Sequence, residues 1–453
     1  MSTTEPPAGP PPEPPREPPR EEQPGPVREL ERIPQLDIIR GIALMGILLV
    51  NILSFGMPHP SWIMPGFWAG ETALDRATSE GISLFILGKF YPMFTILFGV
   101  GLAIQYRRLR ARGAADGAVP PGVLFRRLGW LLAIGLLHVV LFWEGDILLH
   151  YALAGLVAVW LLRVSSRIIL FVAITMLVFS YLCCSLPMGA MAMLPEESGR
   201  AAETFEPASI EMAKARAGIT PMEALESFFR EPPHDSAAMA AIYKYGTWRE
   251  AATFRIAIYG LYMLSLCLEM RILGLIGLVL LGVLMERRGF FTRTPNLPSW
   301  VFAFFWGCLV VGLAGTALLI YYTAGRIDLL YARYSVLVLL GVTLALGYLN
   351  LLRAIPWERL GRWVTAPLSA LGRMALSNYL LASVFFTTLF YGHGFGLYGE
   401  IRHAGLALLA VAFWVVQMAF SLVWLRYFRF GPLEWAWRSL TYRKLQPLSR
   451  ASP

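Results

Sequence analysis

Polar side chains inside otherwise apolar stretches mark where this chain could do chemistry. The first stretch is "LDIIRGIALMGILLVNILSFGMPHPSW", residues 36–62, which opens on Asp37 and Arg40, carries Asn51 and ends beside His59. Arg40 and Asn51 are eleven residues apart. Eleven helical steps of 100° return to within ~20°, so the two leave the helix on one face, about 16 Å apart. Asp37 lies one turn before Arg40 on nearly the same side. In a structural reading, Asp37 caps the helix, Arg40 snorkels to phosphate headgroups and Asn51 bonds a neighbouring helix. In a chemical reading, the stripe lines a path from a charged mouth to a buried amide. His59, held between Pro58 and Pro60, has the titration range of a general base and sits where an acceptor could arrive from outside. As a plain loop residue it would have no role.

Two more groups need a reason, because an ionisable side chain at the bilayer centre costs about 2.5–3.5 kcal/mol on insertion scales. Lys89 lies in "GKFYPMFTILFGVG", too deep for a purely interfacial residue; pairing with Glu80, Asp146 or Glu269 is expected, for structure or for substrate. His138, Glu144, Asp146 and His150 fall within thirteen residues around "LFWEGDILLHYA". They are either an interior hydrogen-bond network or an acid/base pair. The chain has no phosphate-binding glycine loop, no H-E-x-x-H and no G-x-S-x-G elbow. "GHGFGLYG" at 392–399 reads as a flexible turn at a helix end. Cys183, Cys184, Cys267 and Cys308 lie in apolar segments without metal-site spacing and read as small buried hydrophobes; no metal is expected.

The elements that must position these residues are membrane helices. The 453 residues are 56% hydrophobic and 15% charged, with mean hydropathy +0.56. Apolar runs of bilayer length fall at about 41–57, 81–106, 128–143, 147–163, 168–186, 264–285, 299–321, 331–351, 374–392 and 404–425. This predicts an all-α polytopic membrane protein of about ten transmembrane helices. Arg107, Arg108, Arg110 and Arg112, then Arg287 and Arg288, Arg353 and Arg359, and Arg426 and Arg429 fall on one side, so both termini are expected in the cytoplasm. The same bias accounts for the net charge of +9 and speaks against nucleic acid as a partner. Residues 1–32 form an expected disordered cytoplasmic tail, with eleven prolines in the first 26 residues. Residues 33–445 form the membrane domain, interrupted by a polar extracytoplasmic insertion at 187–250 with room for short helices, and 446–453 are a C-terminal tail. Residues 251–263 with Arg255, and 356–373 with Arg373, read as interfacial helices.

Five segments in order, "LDIIRGIALMGILLVNI", "GKFYPMFTILFGVG", "GDILLHYA", "LGRMALSNYLLASV" and "FRFGPLEWAWRSLTY", resemble the YeiB family of bacterial inner-membrane proteins over most of residues 33–445. That family is in turn similar to heparan-α-glucosaminide N-acetyltransferase and, more distantly, to membrane O-acyltransferases with an R-x10-H motif. These enzymes take acyl groups from a cytosolic donor and deliver them across the membrane. Asn51 stands where the R-x10-H enzymes have histidine, as it does in the glucosaminide acetyltransferase. His59-Pro60-Ser61-Trp62 is similar to the latter's later His-Ala-Ser-Trp stretch.

The resemblance implies a transmembrane acyltransferase of the bacterial cytoplasmic membrane. An acyl-CoA, in the simplest case acetyl-CoA, would be the donor, and Asp37, Arg40, Lys89 and Arg373 would bind it. Asn51 would polarise the thioester, while His59, His138 and Asp146 would serve an extracytoplasmic hydroxyl or amine. Expected partners are membrane lipid and a small-molecule or glycan acceptor, with a homodimer left open. A transporter or flippase of a small or lipid-linked substrate is the rival reading, with Lys89, His138 and Asp146 as a substrate or proton path. A scaffold recruiting partners through its proline-rich tail is the third.

Overall fold

The computed structural model describes residues 33–58, 68–112, 121–191, 208–230, 236–264, 266–292, 297–323 and 330–450. The expected tail, His59 with its Pro-Ser-Trp sequel, and residues 192–207 of the insertion lie outside these residues, as does the Glu269 side chain. The described residues are helical apart from turns and two isolated bridges, Trp68 with Ala208 and Phe428 with Ser449. In chain order the helices are α1 Pro34–Gly56, α2 Ala73–Phe85, α3 Phe90–Arg112, α4 Pro121–Leu141, α5 Leu148–Leu161, α6 Ser166–Met191, α7 Ile210–Ala215, α8 Pro221–Arg230 and α9 Ser236–Tyr245. They continue as α10 Trp248–Leu264, α11 Leu266–Arg287, α12 Ser299–Thr323, α13 Leu330–Ala354, α14 Arg362–Arg373, α15 Ala375–Phe390, α16 His403–Tyr427 and α17 Pro432–Tyr442.

Among the described residues, seven helical stretches are long and apolar enough to cross a membrane, and α5 and α15 are shorter apolar helices. The chain is therefore a polytopic all-α membrane protein. Each expected apolar segment lies on a helix, with one difference. The expected single span at 81–106 is broken between α2 and α3, where Gly88 takes φ +78°, a left-handed conformation that glycine adopts without a Cβ penalty. Lys89 follows at once and donates from Nζ to the carbonyl of Ser83 at 2.5 Å, one of the α2 C-terminal carbonyls that lack a helical partner.

The central helix is α1. Of its membrane window 61% is buried, against 11% for that of α6, so α1 is wrapped by protein where α6 faces lipid. It packs on α3, α14, α15 and α16. Contact with α14 is backbone to backbone: a Cβ on Gly41 would meet the carbonyl oxygen of Leu368, and one on Gly372 that of Asp37. A second reciprocal pair joins α3 to α11, Gly99 against the Val279 carbonyl and Gly282 against that of Ile96. Small residues permit such approach where lipid supplies no hydrophobic drive between helices.

Arg255, the reason for placing 251–263 at an interface, is fully buried on α10. Its guanidinium donates to the carbonyls of Val139, Val140 and Phe142 at 2.9–3.0 Å, closing the C-terminus of α4. Arg287 does the same for α5, donating to Leu162 at 2.6 Å and Val164 at 2.8 Å.

Gly372→Val and Gly282→Val are expected to lower stability by about 1–3 kcal/mol through overpacking. Gly81→Ala, inside α2 with nothing within 4 Å of the added Cβ, should raise it by about 0.4–1 kcal/mol. Thermal unfolding of the three variants in detergent checks the contrast.

Candidate functional site

The first turn of α1 begins at Pro34, with Ile33 at the cap position and no side-chain cap bond. Asp37 therefore does not cap this helix. It pairs with Arg40, Nη1 to Oδ1 at 3.2 Å, and both line a cavity of about 280 Å³, close to the small end of ligand sites. Its charged wall gathers Arg40, Arg108, Arg127, Arg373, Arg429 and Arg438 against two carboxylates, Asp37 and Glu434. The Arg127 guanidinium stacks 3.8 Å from the Trp437 ring centroid, and the indole N–H of Trp437 donates to the Arg127 carbonyl at 2.8 Å, tying α17 to α4. Glu434 accepts from the Leu376 and Ser377 amides at 2.7 and 3.0 Å and from the Ser377 hydroxyl, so it closes the N-terminus of α15. Burial pushes the Glu434 carboxyl above the usual glutamate range, while its bonds from Ser377 and Leu376 pull the other way.

Deeper in, the wall becomes apolar through Leu44, Ile47, Phe94 and Leu131. A second, water-sized space of about 10 Å³ lies beyond; Asn51, Asn378, Ser383 and Gln417 line it, and it shares Leu44, Ile47 and Tyr379 with the larger cavity. Asn51, half-buried, thus stands about three turns along α1 from Arg40, in a separate small space that shares walls with the larger cavity.

Beside this inner space, His138 Nδ1 is 2.8 Å from Asp146 Oδ1, and its Nε2 is 2.8 Å from the Ser383 hydroxyl. Both side chains of the His–Asp pair are fully buried. The other Asp146 oxygen accepts from the Leu149 amide at 2.7 Å, in the first turn of α5. Where Asp146 accepts from Nδ1–H of the neutral ring, Nε2 is the nitrogen left to accept from the Ser383 hydroxyl. His150 stands behind, its Nδ1 3.0 Å from the Asp146 carbonyl. Glu144 accepts from the Tyr243 hydroxyl at 3.0 Å, towards α9.

The structure thus brings Asp37, Arg40 and Arg373 to the larger cavity and Asn51 to the smaller one; His138 and Asp146 line neither and meet the smaller one through Ser383. Lys89 does not line the cavity. The carboxylates expected beside it are engaged elsewhere, Glu80 with Arg333 at 2.8 Å and Asp146 with His138. Ser383, Arg127 and Glu434 are additions that sequence reading did not single out. Arg127 and His138 repeat on α4 the eleven-residue interval of Arg40 and Asn51, a signal open to inspection. Ser383 lies within "LGRMALSNYLLASV" and Glu434 within "FRFGPLEWAWRSLTY". Among the described residues no cluster of three His, Cys, Asp or Glu side chains could hold a metal.

Residues 285–444 match a family model described as a protein of unknown function, DUF418. The chain is 30% identical over 424 residues to the uncharacterized protein YxaH of Bacillus subtilis, covering 93% of this chain and 96% of that one. It is 30% identical over 428 residues to the uncharacterized protein YeiB of Escherichia coli, covering 92% and 98%. An uncharacterized 39.9 kDa protein from the amylase 3' region of Bacillus acidopullulyticus is 28% identical over 433 residues. No solved structure matches.

Removing the carboxylate by Asp146→Ala leaves the His138 N–H and the Leu149 amide buried without their acceptor, at a cost of about 1–3 kcal/mol for each unsatisfied group. Asp146→Asn keeps an acceptor for the amide and is expected to lose distinctly less. Thermal unfolding of the two variants side by side reads the difference.

Proposed function

The chain belongs to the YeiB family of multi-pass membrane proteins, and from that premise we propose that it transfers an acyl group from a cytosolic acyl-CoA to an extracytoplasmic acceptor. The acceptor is a hydroxyl or amine, on a small molecule or a glycan, and the membrane is the bacterial cytoplasmic one. The observation that carries this reading is a pair of adjoining cavities with unlike linings. Six arginines crowd the mouth, an apolar throat follows, and a buried histidine–carboxylate pair waits at the far end. Arginine binds phosphate oxygens bidentately, so the mouth suits the phosphates of CoA, with Arg40 and Arg373 as first contacts. The narrow throat suits the pantetheine arm. Asn51, about 16 Å along α1 from Arg40, then reaches the thioester carbonyl, and a positioned amide donor there stabilises developing oxyanion charge. His138 Nε2, its tautomer held by Asp146, takes the proton of the attacking group. His59 is kept as a second base on the acceptor's side.

Transport or flipping of a substrate is the rival function. It draws on the buried Lys89 and Arg333, the latter paired with Glu80 at 2.8 Å, neither of which lines the arginine-walled cavity.

Purified full-length protein in detergent should be stabilised by acetyl-CoA or a longer acyl-CoA, because a ligand bound only by the folded state adds about 2.7 kcal/mol at a hundred times its Kd. The shift should fade in Arg40→Ala and Arg373→Ala. Transfer of labelled acetyl should fall about 100-fold or more in His138→Ala, the usual weight of a general base. Stability unmoved by any CoA species would sink the donor assignment and favour the transporter.

A further inference from the structure

We propose that Ser383 carries the acyl group between donor and acceptor, so that transfer runs through a covalent acyl-serine in the middle of the membrane domain. This deepens the acyl-transfer reading above and rests on it.

The first support is how Ser383 spends its hydroxyl. A hydroxyl in a helix away from water ordinarily donates to the carbonyl four residues back. Thr95, Thr316, Thr343, Thr387 and Thr388 all do so, at 2.7–3.1 Å. For Ser383 that carbonyl, of Tyr379, is 3.4 Å away, and the close partner is His138 Nε2 at 2.8 Å. In the Nδ1–H tautomer the hydroxyl can donate to Nε2 in place of its long bond to Tyr379, and the other ring nitrogen is held by a carboxylate at 2.8 Å. Nucleophile, base and orienting group stand in the relative positions that activate a serine.

The second support is access. Ser383 is 1% exposed, yet it lines the water-sized space that shares walls with the arginine-mouthed cavity. An acyl carbon that reached the end of the larger cavity would be separated from this hydroxyl only by the shared Leu44, Ile47 and Tyr379 wall. The half-buried Asn51 lines the same space, where its amide can donate to the carbonyl oxygen.

The chemistry balances without any further reagent. The Ser383 oxygen adds to the thioester carbon as its proton passes to His138 Nε2. The carbon–sulfur bond breaks, the proton goes to the departing sulfur, and free CoA thiol leaves. The acceptor hydroxyl or amine then attacks the ester carbon and gives its proton to Nε2. The carbon–oxygen bond to Ser383 breaks, and that proton returns to the serine. Donor and acceptor, arriving from opposite faces, need never occupy the site together.

An alkyl fluorophosphonate, which labels activated serines whatever their natural donor, tests the inference on the full-length protein in detergent. Wild type should take up one label, on the peptide containing Ser383, and lose it in Ser383→Ala and His138→Ala, with reduced labelling in Asp146→Asn. A parallel incubation with acetyl-CoA, quenched and digested, should find acetyl on the same peptide, removable by hydroxylamine. Ser383→Cys should hold it as a thioester. Ser383→Ala should keep its CoA-induced thermal shift while losing the acetylated peptide, which a merely structural serine would not predict. CoA stabilisation and acetyl transfer without labelled or acetylated Ser383 would overturn the carrier and leave the acyl-transfer reading standing. Labelled Ser383 in a protein that no CoA species stabilises would retain the activated serine and remove the donor.

Discussion

A helix that stops inside a protein leaves its last carbonyls without partners, and in a membrane domain no bulk water takes their place. This chain meets that constraint with basic side chains brought from elsewhere. Arg255 closes α4, Arg287 closes α5 and Lys89 bonds the end of α2. A cation at a helix C-terminus is favoured by the helix dipole as well as by the hydrogen bonds. The α4 closure matters most, because the turn that follows must bring Asp146 back to His138 across only eight residues. With the last carbonyls of α4 held by Arg255, that turn needs no solvent, and the Trp143 ring fills the space against Gly145, where a Cβ would strike it. The dry turn is what keeps the His–Asp pair fully buried.

The charged residues divide by what they serve, and sequence position alone does not separate them. Lys89 and Arg255 look as anomalous in their apolar surroundings as Arg40 does, yet they satisfy the backbone, whereas Arg40 and Arg127 turn into a cavity. Where arginines crowd one wall, their mutual repulsion is unfavourable in a medium of lowered dielectric. Stacking of Arg127 on Trp437 and pairing of Arg40 with Asp37 offset part of it. An anionic ligand would offset more.

The helical class and the position of each apolar segment were legible, because bilayer length and apolar composition are properties of a contiguous window. The break at Gly88 was not, since composition runs through it unchanged and only the backbone angle departs. At the site, the face shared by Asp37, Arg40 and Asn51 followed from helical geometry alone. The closeness of two histidines and two carboxylates at 138–150 was legible, but which would pair was not: Asp146 was among the carboxylates expected beside Lys89 and stands against His138 instead. The Ser383 contact was not legible, because 245 residues separate it from His138 and a lone serine in an apolar helix carries no local signal. Arg127 follows an arginine-rich loop in which nothing local sets it apart, although its interval to His138 equals that of Arg40 to Asn51.

That repeated interval has a consequence for how the cavity selects. Both α1 and α15 present their first turns to the arginine wall, the latter with its N-terminus covered by Glu434, while α4 reaches it from Arg127 onward. Helix N-termini favour negative charge, but only within about the first turn. The dipoles therefore reinforce the arginines at the mouth and contribute little about 16 Å further in. There the field comes from the buried His138–Asp146 pair, and the only donors are single side chains such as Asn51 and Ser383. The larger cavity therefore presents net positive charge at its arginine wall and apolar side chains towards α1's middle, while the small space beyond presents only neutral hydrogen-bonding groups.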